Sequence, residues 1–320
     1  MYLDFLLLGV GFVLLIKGAD FLVDGSSSIA KKFNISNLVI GLTVVAFGTS
    51  APELFVNLFA SFNGTTDIAI GNIVGSNIAN TLLILGVASL IFPLKVRKGT
   101  VWREIPLGLF AGLLVLIMAN DKLIGGQVFN SIGRIDGIIL IFFFVIFLYY
   151  TIRISKEKNE DELEVKPKIY SNFLSLSFIV IGLLGLTLGG KWIIDSAVNI
   201  AKTFGLSDAL IGLTIVAIGT SLPELATSVV AVFKKNADIA VGNVVGSNIF
   251  NIFWILGISS VIKPLPFSEN LNFDLIVIVM SSALLFGWMF LGKRHILEKW
   301  QGAIFILLYI GYIAFIIMRG

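Results

Sequence analysis

Two glutamates occupy matching positions in apolar surroundings, one in Gly48-Thr49-Ser50-Ala51-Pro52-Glu53 and one in Gly219-Thr220-Ser221-Leu222-Pro223-Glu224. A charged side chain near a bilayer centre costs about 2.5–3.5 kcal/mol on insertion scales, so such residues are rare and mark ion pathways. Oxygen donors accompany both acids. On a helix, Ala46, Thr49, Ser50 and Glu53 fall at i, i+3, i+4 and i+7, on one face, and Ala217, Thr220, Ser221 and Glu224 repeat the pattern. Downstream, Asn72, Ser76 and Asn80 are spaced by four, as are Asn243, Ser247 and Asn251. Carboxylates, hydroxyls, amides and backbone carbonyls are the ligand set that hard cations prefer, so the chemistry to expect is cation coordination.

The prolines add backbone oxygens to that set. Pro52 has no N–H for the carbonyl of Gly48, and its ring crowds the preceding turn, so the helix is expected to break just before it; Pro223 and Gly219 repeat the arrangement. Carbonyls around Ala46–Gly48 and Ala217–Gly219 are then expected to lie open, which lipid permits only where they face a cavity or a cation.

These motifs sit within a duplicated chain. Ile29–Leu54 and Ile200–Leu225 share 17 of 26 residues at an offset of 171, and Asp67–Asn80 and Asp238–Asn251 share 11 of 14 in the same register. The 320 residues are 57% hydrophobic and 13% charged, with mean hydropathy +0.98, which excludes an ordinary soluble domain. About ten runs reach the roughly 20 apolar residues that a spanning helix needs. Their centres lie near residues 13, 48, 80, 110, 141, 183, 219, 250, 281 and 308.

The expected fold is therefore an all-α polytopic membrane protein of ten transmembrane helices in two five-helix repeats, with spans 2 and 7 broken. Because five is odd, the second repeat enters the membrane inverted, an arrangement that transporters use to build a midplane site. The expected division is residues 1–152, a hydrophilic linker over 153–171, and residues 172–320. That linker carries Glu157, Glu160, Asp161, Glu162 and Glu164 among its lysines and reads as a solvated cytoplasmic tether.

The net charge of +3 does not signal nucleic acid, because the basic residues lie between apolar runs. Lys31, Lys32, Lys95, Arg97, Lys98, Lys234, Lys235 and Lys293 all follow odd-numbered spans, so the positive-inside rule places both termini outside. The first apolar run lacks a basic leader and a cleavage site and reads as a retained helix. With no cysteine there is no thiolate chemistry, and the single His295, in a basic loop, reads as solvated or headgroup-facing. Asp24 and Asp195 correspond across the repeat near a membrane face, where interfacial and gating roles compete. Gly71/Gly75 and Gly242/Gly246 are small-residue pairs suited to close helix packing, and Gly9-Val10-Gly11 is a further packing pair. No nucleophile–base pair and no soluble domain support an enzyme.

The two GTSxPE segments, each followed by GNxVGSNIxN, resemble the α-repeats of sodium/calcium exchangers in the calcium/cation antiporter superfamily, over essentially the whole chain. The resemblance implies exchange of Ca²⁺ for Na⁺ by alternating access, with long helices 1 and 6 sliding across a core of the other eight. By motif position, Glu53 and Glu224 would coordinate Ca²⁺ with the carbonyls of Thr49 and Thr220. Ser50, Ser221, Ser76, Ser247 and the carbonyls of Ala46 and Ala217 would serve Na⁺, and Asn80 and Asn251 would flank the centre. Some relatives carry an aspartate where this chain has an amide at Asn80 or Asn251, which argues against K⁺ co-transport. Proton-coupled relatives usually carry a GNxxE-type motif, so the hydroxyl-rich form favours Na⁺, with Ca²⁺/H⁺ exchange through the same glutamates as the alternative. Ca²⁺ and Na⁺ are then cargo, and no tightly bound cofactor is expected. The expected partners are inorganic cations and the lipid bilayer, for a monomer in the plasma membrane.

Overall fold

Long uninterrupted apolar runs produce long helices. The computed structural model describes residues 2–63, 66–124, 129–155, 168–204 and 217–319. Helix α1 (Tyr2–Lys32) leads to a broken pair, α2 (Asn37–Thr49) and α3 (Ala51–Asn63), bent by 46° at its break. There follow α4 (Ala69–Ile91), α5 (Lys98–Met118) and α6 (Arg134–Ile154). In the second half come α7 (Asn172–Thr203), a short turn Ala217–Gly219, α8 (Leu222–Phe233), α9 (Ala237–Ile262), α10 (Glu269–Trp288) and α11 (Lys299–Arg319).

Among the described residues, eight helices are long and apolar enough to cross a membrane, and the bent pair makes a ninth span. The seventh expected span is described only from Ala217 onward, and α8 is its apolar second part. Residues 156–167, which make up most of the expected linker, lie outside the described residues.

The repeat is visible in the connections as well as the helices. Strand β1 (Leu94–Lys95) pairs antiparallel with β4 (Ile296–Leu297), and β2 (Ser131–Ile132) with β3 (Leu265–Pro266). Each two-residue ladder ties a loop of one half to a loop of the other. His295 precedes β4 in a left-handed turn with φ 58°, and partial burial, with Arg294 and Lys98 nearby, holds its imidazole below the usual range.

Helices α1 and α7 pack antiparallel along their length on a seam of small residues. A Cβ at Gly11 would lie 3.0 Å from the carbonyl of Gly189, one at Gly18 would lie 2.7 Å from Leu186 N, and one at Gly25 would lie 2.7 Å from the carbonyl of Ser175. These glycines recur every seven residues, so backbone meets backbone at three levels. Gly9 meets nothing within 4 Å, so only Gly11 of the expected pair packs.

The expectation for the later pairs holds on one side. Gly242 and Gly246 sit against the backbone of Leu38 and Leu42, with Cβ approaches of 2.8 and 2.7 Å, whereas Gly71 and Gly75 meet nothing within 4 Å among the described residues.

Gly18→Ala, which drives a methyl into the facing backbone, is expected to lower stability by about 1–3 kcal/mol. Gly9→Ala, in open space on the same helix, is expected to be neutral or stabilising by up to about 1 kcal/mol. Thermal unfolding of the two variants in detergent checks the contrast.

Candidate functional site

Both halves break their helix at the same residue. Ser50 lies at φ −84°, ψ 8° and Ser221 at φ −84°, ψ 4°, outside helical geometry and two residues ahead of each proline. Each break turns the acid that follows into the protein interior. Glu53 and Glu224 are each 1% exposed, and Thr49, Ser50, Ser76, Asn80, Ser221, Ser247 and Asn251 are also buried.

The first half contacts the second half's acid directly. Ser50 Oγ lies 2.9 Å from Glu224 Oε1, as a donor, and 2.9 Å from Ser247 Oγ. Ser247 Oγ is 3.5 Å from the same carboxylate oxygen, and Ser76 Oγ donates to Glu53 Oε1 at 3.3 Å. Thr49 Oγ1 donates to Asn243 Oδ1 at 3.0 Å and Thr220 Oγ1 to Asn72 Oδ1 at 3.5 Å, a repeat-related pair of contacts. The amide of Asn243 reaches the Glu224 carbonyl at 3.2 Å, and Asn57 reaches the Glu53 carbonyl at 3.0 Å.

Acceptors outnumber donors in this centre. Glu53 Oε2, Glu224 Oε2, Asn80 Oδ1 and Asn251 Oδ1 are buried acceptors without a hydrogen-bond partner, against the unpartnered donors Asn72 Nδ2 and Asn80 Nδ2 and the Ser221 hydroxyl, which can act either way. Buried polar groups are normally satisfied, and an unpaired carboxylate in a dry site is costly, so this group calls for a positive charge among its oxygens. No cluster of three or more His, Cys, Asp or Glu occurs among the described residues. The oxygens are instead two carboxylates and many neutral groups, a set suited to hard cations.

One backbone oxygen differs from expectation. The Ala46 carbonyl is not left open by the break, since it accepts from Ser50 N at 3.0 Å and lies 3.3 Å from Thr49 Oγ1. The Ser50 N–H bond is the ordinary i−4 helical one, and the Thr49 hydroxyl engages the second lone pair of the carbonyl. Ala217 opens the matching short turn in the second half.

Sequence reasoning missed two features. Wide π-helical turns at Ala79–Ile84 and Phe250–Leu256 begin one residue before Asn80 and Asn251, and such turns recur at functional sites. A cross-half amide chain also escaped it: Asn251 Nδ2 donates to Asn77 Oδ1 at 2.9 Å, Asn77 Nδ2 to the Asn248 carbonyl at 3.2 Å, and Asn248 Nδ2 to Thr81 Oγ1 at 2.9 Å. The repeat carried a signal for it, since Asn77 and Asn248 differ by the offset of 171.

The largely apolar space beside one arm of the centre is wider than its repeat-related counterpart. A cavity of about 600 Å³ separates α3 from α7 and reaches Pro52, Thr220 and Pro223, with Lys191 and Asp195 on its wall. At the repeat-related place α1 packs against α8, and Lys234 bridges Asp20 and Asp24, its Nζ 2.6 Å from Asp24 Oδ1. Asn236 adds a hydrogen bond to Ser27 at 3.2 Å. Asp24 thus belongs to an ion pair on the wall of a smaller cavity of about 380 Å³, and Asp195 to the wall of the larger one without such a bridge among the described residues.

Known proteins share this organisation. The profile of the family described as sodium/calcium exchanger protein matches residues 3–153 and 174–318. The sodium/calcium exchanger MaX1 of Methanosarcina acetivorans is 34% identical over 342 residues, covering 97% of each chain. A more distant relative, the Ca²⁺/H⁺ antiporter ChaA of Bacillus subtilis, is 27% identical over 226 residues, covering 65% of this chain and 63% of its own. Among solved structures, the sodium-calcium exchanger NCX_Mj soaked with 2.5 mM Na⁺ and 0.1 mM Ca²⁺ superimposes with a TM-score of 0.83 at 36% identity, covering 98% of each chain.

Duplicated broken helices meeting at a buried, acceptor-rich centre define a multi-pass membrane transporter of the antiporter class. More narrowly, the chain belongs to the sodium/calcium exchanger family.

A cation that fills these oxygens stabilises the folded protein by about 2.7 kcal/mol at a concentration 100-fold above its dissociation constant. Ca²⁺ added to chelator-treated, Na⁺-free protein is expected to raise the unfolding temperature. Glu224→Gln is expected to remove most of that rise, which a melting curve in detergent reads.

Proposed function

We propose that this chain exchanges Ca²⁺ for Na⁺ across a plasma membrane by alternating access at the Glu53–Glu224 centre. The observation that carries the reading is the surplus of buried, unpartnered oxygens where the two halves meet. Glu53 and Glu224 hold Ca²⁺ with the backbone oxygens of Thr49 and Thr220. Ser50, Ser76, Ser221, Ser247 and the carbonyls of Ala46 and Ala217 serve Na⁺, and Asn80 and Asn251 border the centre. Residues 1–152 and 172–320 act as the two inverted halves of a monomer, joined by a cytoplasmic linker over 153–171, with both termini outside.

Charge makes the exchange obligatory. The two glutamates contribute −2, which one Ca²⁺ neutralises and Na⁺ ions can match. Two bare carboxylates crossing during the switch would cost several kcal/mol, at about 2.5–3.5 kcal/mol each, so the empty carrier stays put. If more than two Na⁺ move per Ca²⁺, each extra charge is driven by ~2.3 kcal/mol per 100 mV of membrane potential.

Proton coupling through the same glutamates is the second reading, favoured by the likeness to ChaA. The hydroxyls of Ser50, Ser76 and Ser247 beside the carboxylates support Na⁺ instead, because they add neutral ligands that a proton does not need. Na⁺-gradient-driven ⁴⁵Ca²⁺ uptake into vesicles is expected for the native chain and expected to be absent in Glu53→Gln and Glu224→Gln. Uptake driven by a pH gradient without Na⁺ would choose the proton reading.

The Lys234 bridge is expected to hold one side shut. In this cysteine-free chain a single Ala226→Cys on α8 reports that side. Adding Lys234→Gln is expected to speed its labelling by a membrane-impermeant maleimide several-fold, and an unchanged rate would separate the ion pair from closure.

A further inference from the structure

A third carboxylate lies buried outside the duplicated motifs. Glu104, at the start of the regular part of α5, is 1% exposed. Its Oε1 accepts from the Tyr150 hydroxyl on α6, whose oxygen in turn accepts from Arg103 Nη1 at 3.3 Å. Its Oε2 is buried without a hydrogen-bond partner, and so is Asn248 Oδ1 on α9. Glu104, Asn248, Thr81 and Ser282 line one small cavity of about 20 Å³, completed by apolar residues of α5, α9 and α10.

The chemistry of that lining restricts its contents. Both unpartnered atoms are acceptors, and Thr81 Oγ1 accepts from Asn248 Nδ2 at 2.9 Å, which leaves it one lone pair for a further ligand. The volume exceeds the roughly 10–15 Å³ that one water-sized guest needs. A water would satisfy the two acceptors but leave the carboxylate without a positive group in direct contact, since the Tyr150 hydroxyl stands between it and the Arg103 guanidinium, whereas a cation answers both demands. Elsewhere the chain treats a buried acid differently: Asp274, 2% exposed at the start of α10, is paired with Arg319 at 3.0 Å. One carboxylate with amide and hydroxyl oxygens balances a single positive charge, and a divalent ion would leave an excess.

We propose that Glu104, Asn248 and Thr81 form a second cation site, separate from the Glu53–Glu224 centre, which takes one monovalent alkali ion of about the size of Na⁺. The site joins α4 and α5 of the first half to α9 of the second, and its ligand Asn248 also belongs to the amide chain that reaches Asn251. Its occupancy therefore couples Na⁺ to the packing of the two halves without using either central glutamate.

Thallium(I), a heavy monovalent stand-in, tests the site in crystals of the full chain. An anomalous peak is expected among Glu104, Asn248 and Thr81, and Glu104→Gln is expected to lose it while keeping any peak at the central glutamates. A second measurement disables the centre first, with Glu53→Gln and Glu224→Gln together. Na⁺ is expected still to raise the unfolding temperature of that double variant, and adding Glu104→Gln is expected to weaken the Na⁺ response at least tenfold. Ordered water alone in the cavity, a peak indifferent to Glu104→Gln, or a double variant blind to Na⁺ would each overturn the proposal. None of those results would touch the reading of the central site, which rests on Ca²⁺ uptake.

Discussion

The structure depends on one electrostatic constraint: two carboxylates are buried among polar groups whose hydrogen bonds leave one oxygen of each acid unserved. Glu53 and Glu224 are both 1% exposed, and each has one oxygen served by serine and one left without a partner. In a low-dielectric interior such an arrangement is tolerable when a cation is shared between the acids or when they take up protons. The broken helices follow from the same need. An unbroken α2–α3 helix would turn its hydrogen-bonding groups inward on itself, whereas the bend at Ser50 brings its hydroxyl to the acid of the other half.

The inequality between the two halves gives the centre its direction. If the halves were equivalent, Ser221 would reach Glu53 as Ser50 reaches Glu224, yet Ser221 Oγ has no partner and the Thr220–Asn72 contact is 3.5 Å against 3.0 Å for Thr49–Asn243. The loose arm adjoins the 600 Å³ cavity between α3 and α7, and the tight arm lies on the side where α1 packs against α8. One sequence repeat thus occurs in two packings within a single structure. Under the exchange reading, interchange of those packings would shift the larger cavity to the repeat-related place, with α1 and α7, in backbone contact along the glycine seam, moving together.

Much of this was legible before any coordinates. The offset of 171 carried the architecture, and the acids, serines and asparagines of the duplicated motifs do converge on a common centre. What stayed hidden was geometry that depends on a partner helix. The seven-residue spacing of Gly11, Gly18 and Gly25 means little until Ser175, Gly182 and Gly189 face it. The π-helical turns at Asn80 and Asn251 have no residue signature, because an extra residue in a turn is a matter of backbone hydrogen bonding. Proline correctly signalled a break, but the Ala46 carbonyl stays engaged by the Ser50 N–H and the Thr49 hydroxyl.

The amides decide which ion balance the centre can support. Asn251 donates to Asn77 and forms part of a chain that crosses between halves, so it is fixed in place and carries neither charge nor a titrating proton. An aspartate there would add a third negative charge and a third proton acceptor, making the net charge of the loaded state depend on pH. With amides at Asn80 and Asn251, the variable charge of the centre comes from Glu53 and Glu224 alone. Under the exchange reading, one Ca²⁺ then matches the protein's charge without a proton, and any Na⁺ beyond the second travels as uncompensated charge. The coupling to membrane potential is in that sense written by two neutral side chains as much as by the two acidic ones.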